Sequence, residues 1–204
     1  MNKKALKKKS TGNGKNAYDC VREELLVMQR LEHPNIIWLH EIIDDQKKDD
    51  IFLVTEFHSR GSLGDEILKK NARFEQFNNK KKADKKFNEM IYIGISERQV
   101  RLYFIDMLKA LYYCHKIIKV IHRDIKPDNI MINHNNEAVL IDFGVSALVD
   151  EQENDELGNN MGSHMFFAPE MFLRGKGSKV RGEMTDIWAL GVTLFYLLAG
   201  KYPC

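Results

Sequence analysis

His122-Arg123-Asp124-Ile125-Lys126-Pro127-Asp128-Asn129 gathers two carboxylates, three basic side chains and an amide into eight consecutive positions. Short apolar runs bracket it, Val120-Ile121 before and Ile130-Met131-Ile132 after, so its polar groups belong to a loop between short strands. A third apolar run at 139–141 leads directly into Asp142-Phe143-Gly144, with the turn-like His134-Asn135-Asn136-Glu137 between the last two runs. Ala168-Pro169-Glu170 follows in the same order along the chain. Each short string recurs by chance in many proteins; the ordered set does not.

Outward from this centre the chain is readable as alternating elements. Upstream, Ser96 and Gln99 have the spacing of a capping box, and Val100, Phe104, Met107 and Leu111 repeat at helical spacing to about His115. Further upstream, 21–31 is helical, with Glu24, Met28 and Leu31 on one face, so that Glu24 points where apolar residues point. Pro34 ends that helix. Runs at 36–43 and 51–57, joined by the polar loop 44–50, predict two antiparallel strands. A short helix is expected over 63–70, after which the Lys- and Asn-rich stretch 71–90 reads as an inserted loop. Downstream, 187–199 is apolar on nearly every face, the pattern of a helix at the centre of a domain.

Composition narrows the class. With 204 residues, 44% hydrophobic and 29% charged, the chain has enough apolar content for a sizeable core. Its 31 basic and 29 acidic side chains give a net charge of +2, which offers no global signal for nucleic acid or a membrane surface. The run 187–199 is too short to span a bilayer, and the Lys-rich start lacks the apolar stretch of a signal peptide. A cytoplasmic or nuclear location is therefore expected. Residues 3–15 carry six lysines and no acid; composition favours a mobile, solvated segment over an import or phosphate-binding signal. Cys20, Cys114 and Cys204 lack metal or disulfide spacing and read as packing residues.

The motif set resembles the eukaryotic protein kinase domain along nearly the whole chain. The resemblance implies an α+β, two-lobed, kinase-like fold: a partial small lobe (helix C, strands 4 and 5) and the first part of a mainly helical large lobe. It divides the chain into a basic segment after strand 3 (1–20), the remaining small lobe and hinge (21–57) and a partial large lobe (58–204) with a Lys-rich insert at 69–90. It implies ATP and Mg²⁺ as cofactors and a protein hydroxyl as acceptor. Asp124 then resembles the base that orients that hydroxyl, Lys126 the lysine that steadies the transferring phosphoryl group, and Asn129 and Asp142 the magnesium ligands. Lys126 points to Ser/Thr acceptors. Glu24 matches the helix carboxylate that pairs with a strand-3 lysine. Thr55, Glu56 and His58 resemble the gatekeeper and hinge against adenine, and Met131 the apolar floor beneath it. Leu39, Met28, Phe143 and His122 match a stacked column between the lobes, and Asp186 the acid that braces the catalytic-loop backbone.

His33-Pro34-Asn35, Asp142-Phe143-Gly144-Val145-Ser146 and the Trp188-Ala189-Leu190-Gly191-Val192-Thr193-Leu194 string are similar to the calcium/calmodulin-dependent protein kinase kinases. That similarity implies a protein substrate, itself a kinase in such cascades, and calmodulin acting through a region outside this chain. Several features depart from the pattern. No glycine-rich phosphate loop or strand-borne lysine precedes Glu24, Gly12-Asn13-Gly14 being a poor substitute, and the chain stops just beyond the apolar run 187–199. We therefore expect a fragment truncated at both ends, with a pseudokinase or kinase-fold scaffold as the alternative. Between Asp142 and Glu170 the hydroxyl side chains are Ser146 and Ser163, and Asp150, Glu151, Glu153, Asp155 and Glu156 form an acidic run. Activation without loop phosphorylation is the expectation, with acids standing in for phosphate near Arg123.

Overall fold

A computed structural model describes residues 1–8, 16–45, 48–81, 93–148, 163–172 and 181–203. Its first substantial element, α2 (Ala17–Met28), starts where the Asn16 side chain accepts the Asp19 amide at 2.9 Å. Leu25, Val27 and Met28 on its inner face are buried, and Leu31, Ile36 and Ile37 extend that apolar surface beyond the helix. The helix stops at Met28, short of the expected Leu31 and well before Pro34, and 36–37 do not join a strand. Instead the Ile37 amide donates to Leu140 O and the Leu140 amide to Asn35 O, both at 2.9 Å. These bonds tie the small lobe to the large one.

The expected strand pair is present and antiparallel: β1 (Leu39–Asp44) and β2 (Ile51–Thr55), with Ile42 opposite Leu53 and Ile43 opposite Phe52. The basic start corrects the sequence expectation. Lys3–Lys8 forms a short helix, α1, and the Lys3 ammonium pairs with the Asp44 carboxylate while donating to Asp45 O at 2.8 Å and Lys48 O at 3.0 Å. Met1 exchanges backbone bonds with Ile51. Composition shows an excess of lysine; the acids and carbonyls of the β1–β2 turn that absorb one of them come from more than forty residues away. Residues 9–15 lie outside the described residues.

The helix expected over 63–70 is longer. α3 runs Leu63–Lys81, through residues expected to be a loop. A reciprocal cap starts it: the Ser62 amide donates to Asp65 Oδ2 at 2.9 Å and the Asp65 amide to Ser62 Oγ at 3.1 Å. Leu63 and Ile67 are fully buried, and further along Asn71 Oδ1 accepts the Ile93 amide at 2.8 Å. One tertiary bond thus holds the third turn. The remainder of the insert, 82–92, lies outside the described residues.

α4 (Glu97–Tyr112) buries Val100, Tyr103, Met107, Ala110 and Leu111 and passes into a wider helical turn, Tyr113–Ile118, that ends at left-handed Lys119. Ser96 is its N-cap residue, but the capping box does not form: Gln99 Oε1 accepts Asn136 Nδ2 at 3.0 Å instead. β3 (Val120–Ile121) pairs with β6 (Ala147–Leu148), and β4 (Ile130–Ile132) with β5 (Ala138–Leu140), both antiparallel. α5 (Gly182–Ala199) ends at Gly200, φ 71°.

The α5 burial pattern also differs from an all-round apolar helix. Thr185, Asp186 and Thr193 are buried with Ala189, Leu190, Tyr196 and Leu197, whereas Met184, Ile187, Trp188, Phe195 and Leu198 are 43–47% exposed. Asp186 is buried because its partners lie in other segments, whereas the Thr185 hydroxyl donates within α5, to Gly182 O at 2.7 Å. One core cluster joins Val27, Met28 and Leu31 to Tyr103, Met107, Leu111, Ile130, Leu140 and Phe143. The whole is α+β, with small antiparallel sheets and helices segregated around this core.

Candidate active site

The polar loop hangs from α5. Asp186, 1% exposed, accepts the His122 amide on Oδ2 at 2.9 Å and the Arg123 amide on Oδ1 at 2.8 Å. A carboxylate can only accept, so His115 Nε2, 2.8 Å from Oδ2, donates to it as well. Sequence reading found Asp186 but missed His115, which sits in a helical turn and bears no motif. The loop needs this bracing because Arg123, whose amide Asp186 holds, has φ 70°, a left-handed conformation unfavourable for arginine.

His122 is fully buried, and burial lowers its pKa against the opposing pull of Asp186. Its Nδ1 accepts the Asp124 amide at 3.3 Å and its Nε2 donates to Ile141 O at 3.0 Å, fixing a neutral tautomer. Its ring stacks edge-on against Phe143 at 4.8 Å. Met28 and Phe143 share the main core cluster, and Leu39 packs against that cluster.

Asp124 is the hub of the loop. Oδ2 accepts Lys126 Nζ at 2.6 Å and Asn129 Nδ2 at 2.9 Å, and Oδ1 accepts the Ser163 amide at 3.1 Å. Burial pushes its carboxyl up, but Lys126, the Ser163 amide and Asn129 together hold it below the usual carboxylate range. Lys126 Nζ also donates to Ser163 Oγ at 3.2 Å. A hydroxyl thus already lies beside the lysine and carboxylate.

Asn129 Nδ2 is committed to Asp124, to Oδ2 and also to the backbone O at 2.9 Å, which leaves Oδ1 as its donor atom for a cation. The Ile141 amide bonds Asn129 O at 2.9 Å, holding the segment that carries Asp142 against this residue. Asp142 Oδ1 accepts the Gly144 amide at 3.2 Å. A Cβ on Gly144 would lie 3.1 Å from Asp142 Oδ1 and 3.6 Å from Glu24 Oε2, so both carboxylates converge on the glycine. Burial, and then the Asp142 charge, raise the Glu24 pKa. Among the described residues no lysine or arginine pairs with Glu24.

Among the described residues no cluster of three or more His, Cys, Asp or Glu side chains could hold a metal. One carboxylate and one amide oxygen fit Mg²⁺, which takes few protein ligands and completes its shell with phosphate oxygens and water. Thr55, Glu56 and His58 are the residues expected at the hinge. Thr55 ends β2 and is exposed, as is Glu56, whose Oε2 is 3.8 Å from the buried His58 Nε2. Met131 is half-buried on β4 and bridges Ser62. The acidic run 150–156 lies outside the described residues, and Ser146 Oγ is turned to Phe143 O at 2.7 Å.

This fold is that of a kinase-like domain, and comparison with known proteins agrees. The family model described as protein kinase domain matches residues 1–204, and the chain belongs to that family. It is 34% identical, over its whole length, to a probable serine/threonine-protein kinase of Dictyostelium discoideum, of which it covers 25%. It is 33% identical to the serine/threonine-protein kinase ssp1 of Schizosaccharomyces pombe over 94% of this chain and 27% of that one. Identity to CBL-interacting protein kinase 25 of Oryza sativa subsp. japonica is also 33%, over 92% of this chain and 32% of the relative. The chain therefore spans only a quarter to a third of the length of these curated relatives.

Proposed function

We propose that this chain carries the hydroxyl-orienting and metal-holding part of a protein serine/threonine kinase, which transfers the γ-phosphoryl group of ATP to a protein hydroxyl. The observation that carries the reading is the Lys126 ammonium, 2.6 Å from Asp124 and 3.2 Å from the Ser163 hydroxyl. An acceptor hydroxyl in that position would meet a carboxylate that orients it and a lysine beside the incoming phosphoryl group. Asp124, held below the usual range, is a weak base. Its part is to aim the hydroxyl and take its proton as the oxygen–phosphorus bond forms and the bond to the departing ADP oxygen breaks. Asn129 Oδ1 and Asp142 would hold Mg²⁺, which when bound neutralises charge on the phosphates.

The test is phosphotransfer from ATP by the full-length protein, with Asp124→Asn as control. Loss of about 10²-fold or more is expected; equal incorporation by both proteins would mean a contaminating kinase and refute the reading. Glu24, with Asp142 as its neighbouring charge and no cationic partner among the described residues, favours a second reading, a kinase fold that binds without turnover. Nucleotide binding without ATP-dependent incorporation would select it.

The finer reading is a kinase of calcium/calmodulin-type or metabolic signalling, acting on another kinase in the cytoplasm or nucleus. The strings His33-Pro34-Asn35 and Asp142-Phe143-Gly144-Val145-Ser146 support it. Stimulation of the full-length enzyme by calcium-loaded calmodulin, and the position of a fluorescent fusion in cells, test the regulation and the location separately.

A further inference from the structure

α4 is apolar on two faces. The inner face is core, and on the outer face Leu102, Ile105, Leu108 and Tyr112 recur at i, i+3, i+6 and i+10, with 49%, 39%, 39% and 64% of their surfaces exposed. Ile117, 60% exposed, continues the stripe past the wider turn. Soluble proteins rarely leave such a stripe without an occupant. Here it forms one wall of a groove of about 480 Å³ closed on the other side by His33 and Tyr113.

That second wall belongs to the small lobe's connection. The Tyr113 hydroxyl accepts the Glu32 amide at 3.0 Å and donates to Arg30 O at 3.3 Å, and its ring lies 5.2 Å from His33. Burial, and secondarily the Lys109 ammonium, lower the His33 pKa against Asp106, so the wall is uncharged at neutral pH. The groove is therefore apolar along both walls and open to solvent.

Its α4 rim carries three exposed cations, with Glu97 at the start of the helix and Glu32 beside the second wall as exposed acids. Arg98, Arg101 and Lys109 are exposed on the same outer face of α4 as Ile105 and Tyr112. Among the described residues neither arginine makes an ion pair, and Lys109 reaches Asp106 only at 3.8 Å. Asp106 itself is half-buried and accepts the Ala138 amide at 3.1 Å on the inward side. We infer that this groove docks an acidic amphipathic helix of a partner protein, its apolar side on Ile105, Leu108, Tyr112 and Ile117 and its acids on Arg98, Arg101 and Lys109. This is helix-in-groove recognition with charge complementarity at the rim.

The probe is a fluorescent peptide of about 18 residues, five helical turns, with leucines at i, i+4 and i+7 and flanking glutamates. A twin carries lysine at every glutamate position. Anisotropy titrations on the full chain should show the acidic peptide binding, weakening with salt, and the basic twin failing to bind. Ile105→Asp with Tyr112→Ala should weaken binding about tenfold or more, the scale of losing buried apolar anchors. Arg101→Glu with Lys109→Glu should shift preference to the basic twin. These side chains are exposed, so each variant should melt as wild type. Methyl chemical-shift changes at Ile105 and Ile117 of the unmodified protein, on adding the acidic peptide, give a readout that needs no variant. Equal binding of the two peptides, groove variants without effect, or shifts confined to other methyls would each overturn the inference. So would concentration-dependent dimerisation abolished by Tyr112→Glu, which would assign the face to a second copy of the chain.

Discussion

Asp186 and His115 meet at 2.8 Å with 1% and 4% of their surfaces exposed, and the same carboxylate holds the His122 and Arg123 amides. Three donors converge on two oxygens. Asp186→Asn keeps the volume but offers one oxygen and one NH₂, so at least one buried N–H faces a donor. A loss of about 2 kcal/mol in unfolding free energy is expected, with the phosphotransfer rate falling as the loop relaxes its left-handed residues. Chemical denaturation measures the first. A variant as stable as wild type would show that the carboxylate does not brace the loop.

Two glycines should respond to alanine with opposite signs. A Cβ at Gly94 would stand 1.9 Å from the backbone oxygen of Leu198, an atom that cannot swing aside. Gly94→Ala should destabilise by about 1–3 kcal/mol, the range for overpacking. Gly191, inside α5, has nothing within 4 Å of the equivalent position, so Gly191→Ala should add about 0.5–1 kcal/mol through helix propensity. Thermal melts of the two variants side by side decide it.

The α3 cap carries a pH signature. The Ser62 amide and then its hydroxyl hold the Asp65 pKa below its ordinary value of 3.8. A carboxyl whose folded pKa is depressed contributes stability above its unfolded value and loses it as pH falls through the folded value. Asp65→Ala should therefore cost about 1 kcal/mol at neutral pH, with a gap to wild type that narrows as pH drops below 3.8. Denaturant midpoints across an acid series check the sign. A gap that widened on acidification would contradict it.

Burial pushes the Cys114 thiol up to about 12, with the Asp186 charge adding to the effect, and none of the residue is exposed. The thiolate is the reactive form, so native Cys114 should resist alkylation at mildly alkaline pH and react once the chain is unfolded. Mass mapping of native and denatured samples after iodoacetamide tests this. Labelling of Cys114 in the native protein would show that the α4 core opens readily.

What could be read along the chain follows the range of the interactions involved. The loop 122–129, its flanking strands, the Asp142 turn and the pairing of β1 with β2 depend on neighbours within a few residues or on alternation, and the structure has them where the sequence predicts them. Asp124, Lys126 and Asn129 come together because they share one tight loop. The misreadings lie elsewhere. Local pattern reads Lys3 as part of a solvated segment, residues 71–81 as a loop and Gln99 as half of a capping box. In each case a partner from a distant segment decided the outcome: Asp44, Ile93 and Asn136.

The amino-acid sequence by itself determined the family and the chemical inventory, because a hydroxyl-orienting acid, its lysine and two hard oxygen donors occupy a short and specific string. The resemblance also marks Asp186 as the brace of that string, and tertiary structure alone decided its full set of donors. Asp186 turns inward although its neighbours Ile187 and Trp188 are far more apolar, since three buried donors await its oxygens, and nothing in the sequence announces that His115 is one of them. It also decided that Glu24 and Asp142 share the space beside Gly144, and that α4 keeps a second apolar face outside the core. Those are properties of surfaces brought together from far apart in the chain, and local pattern does not encode distance in space.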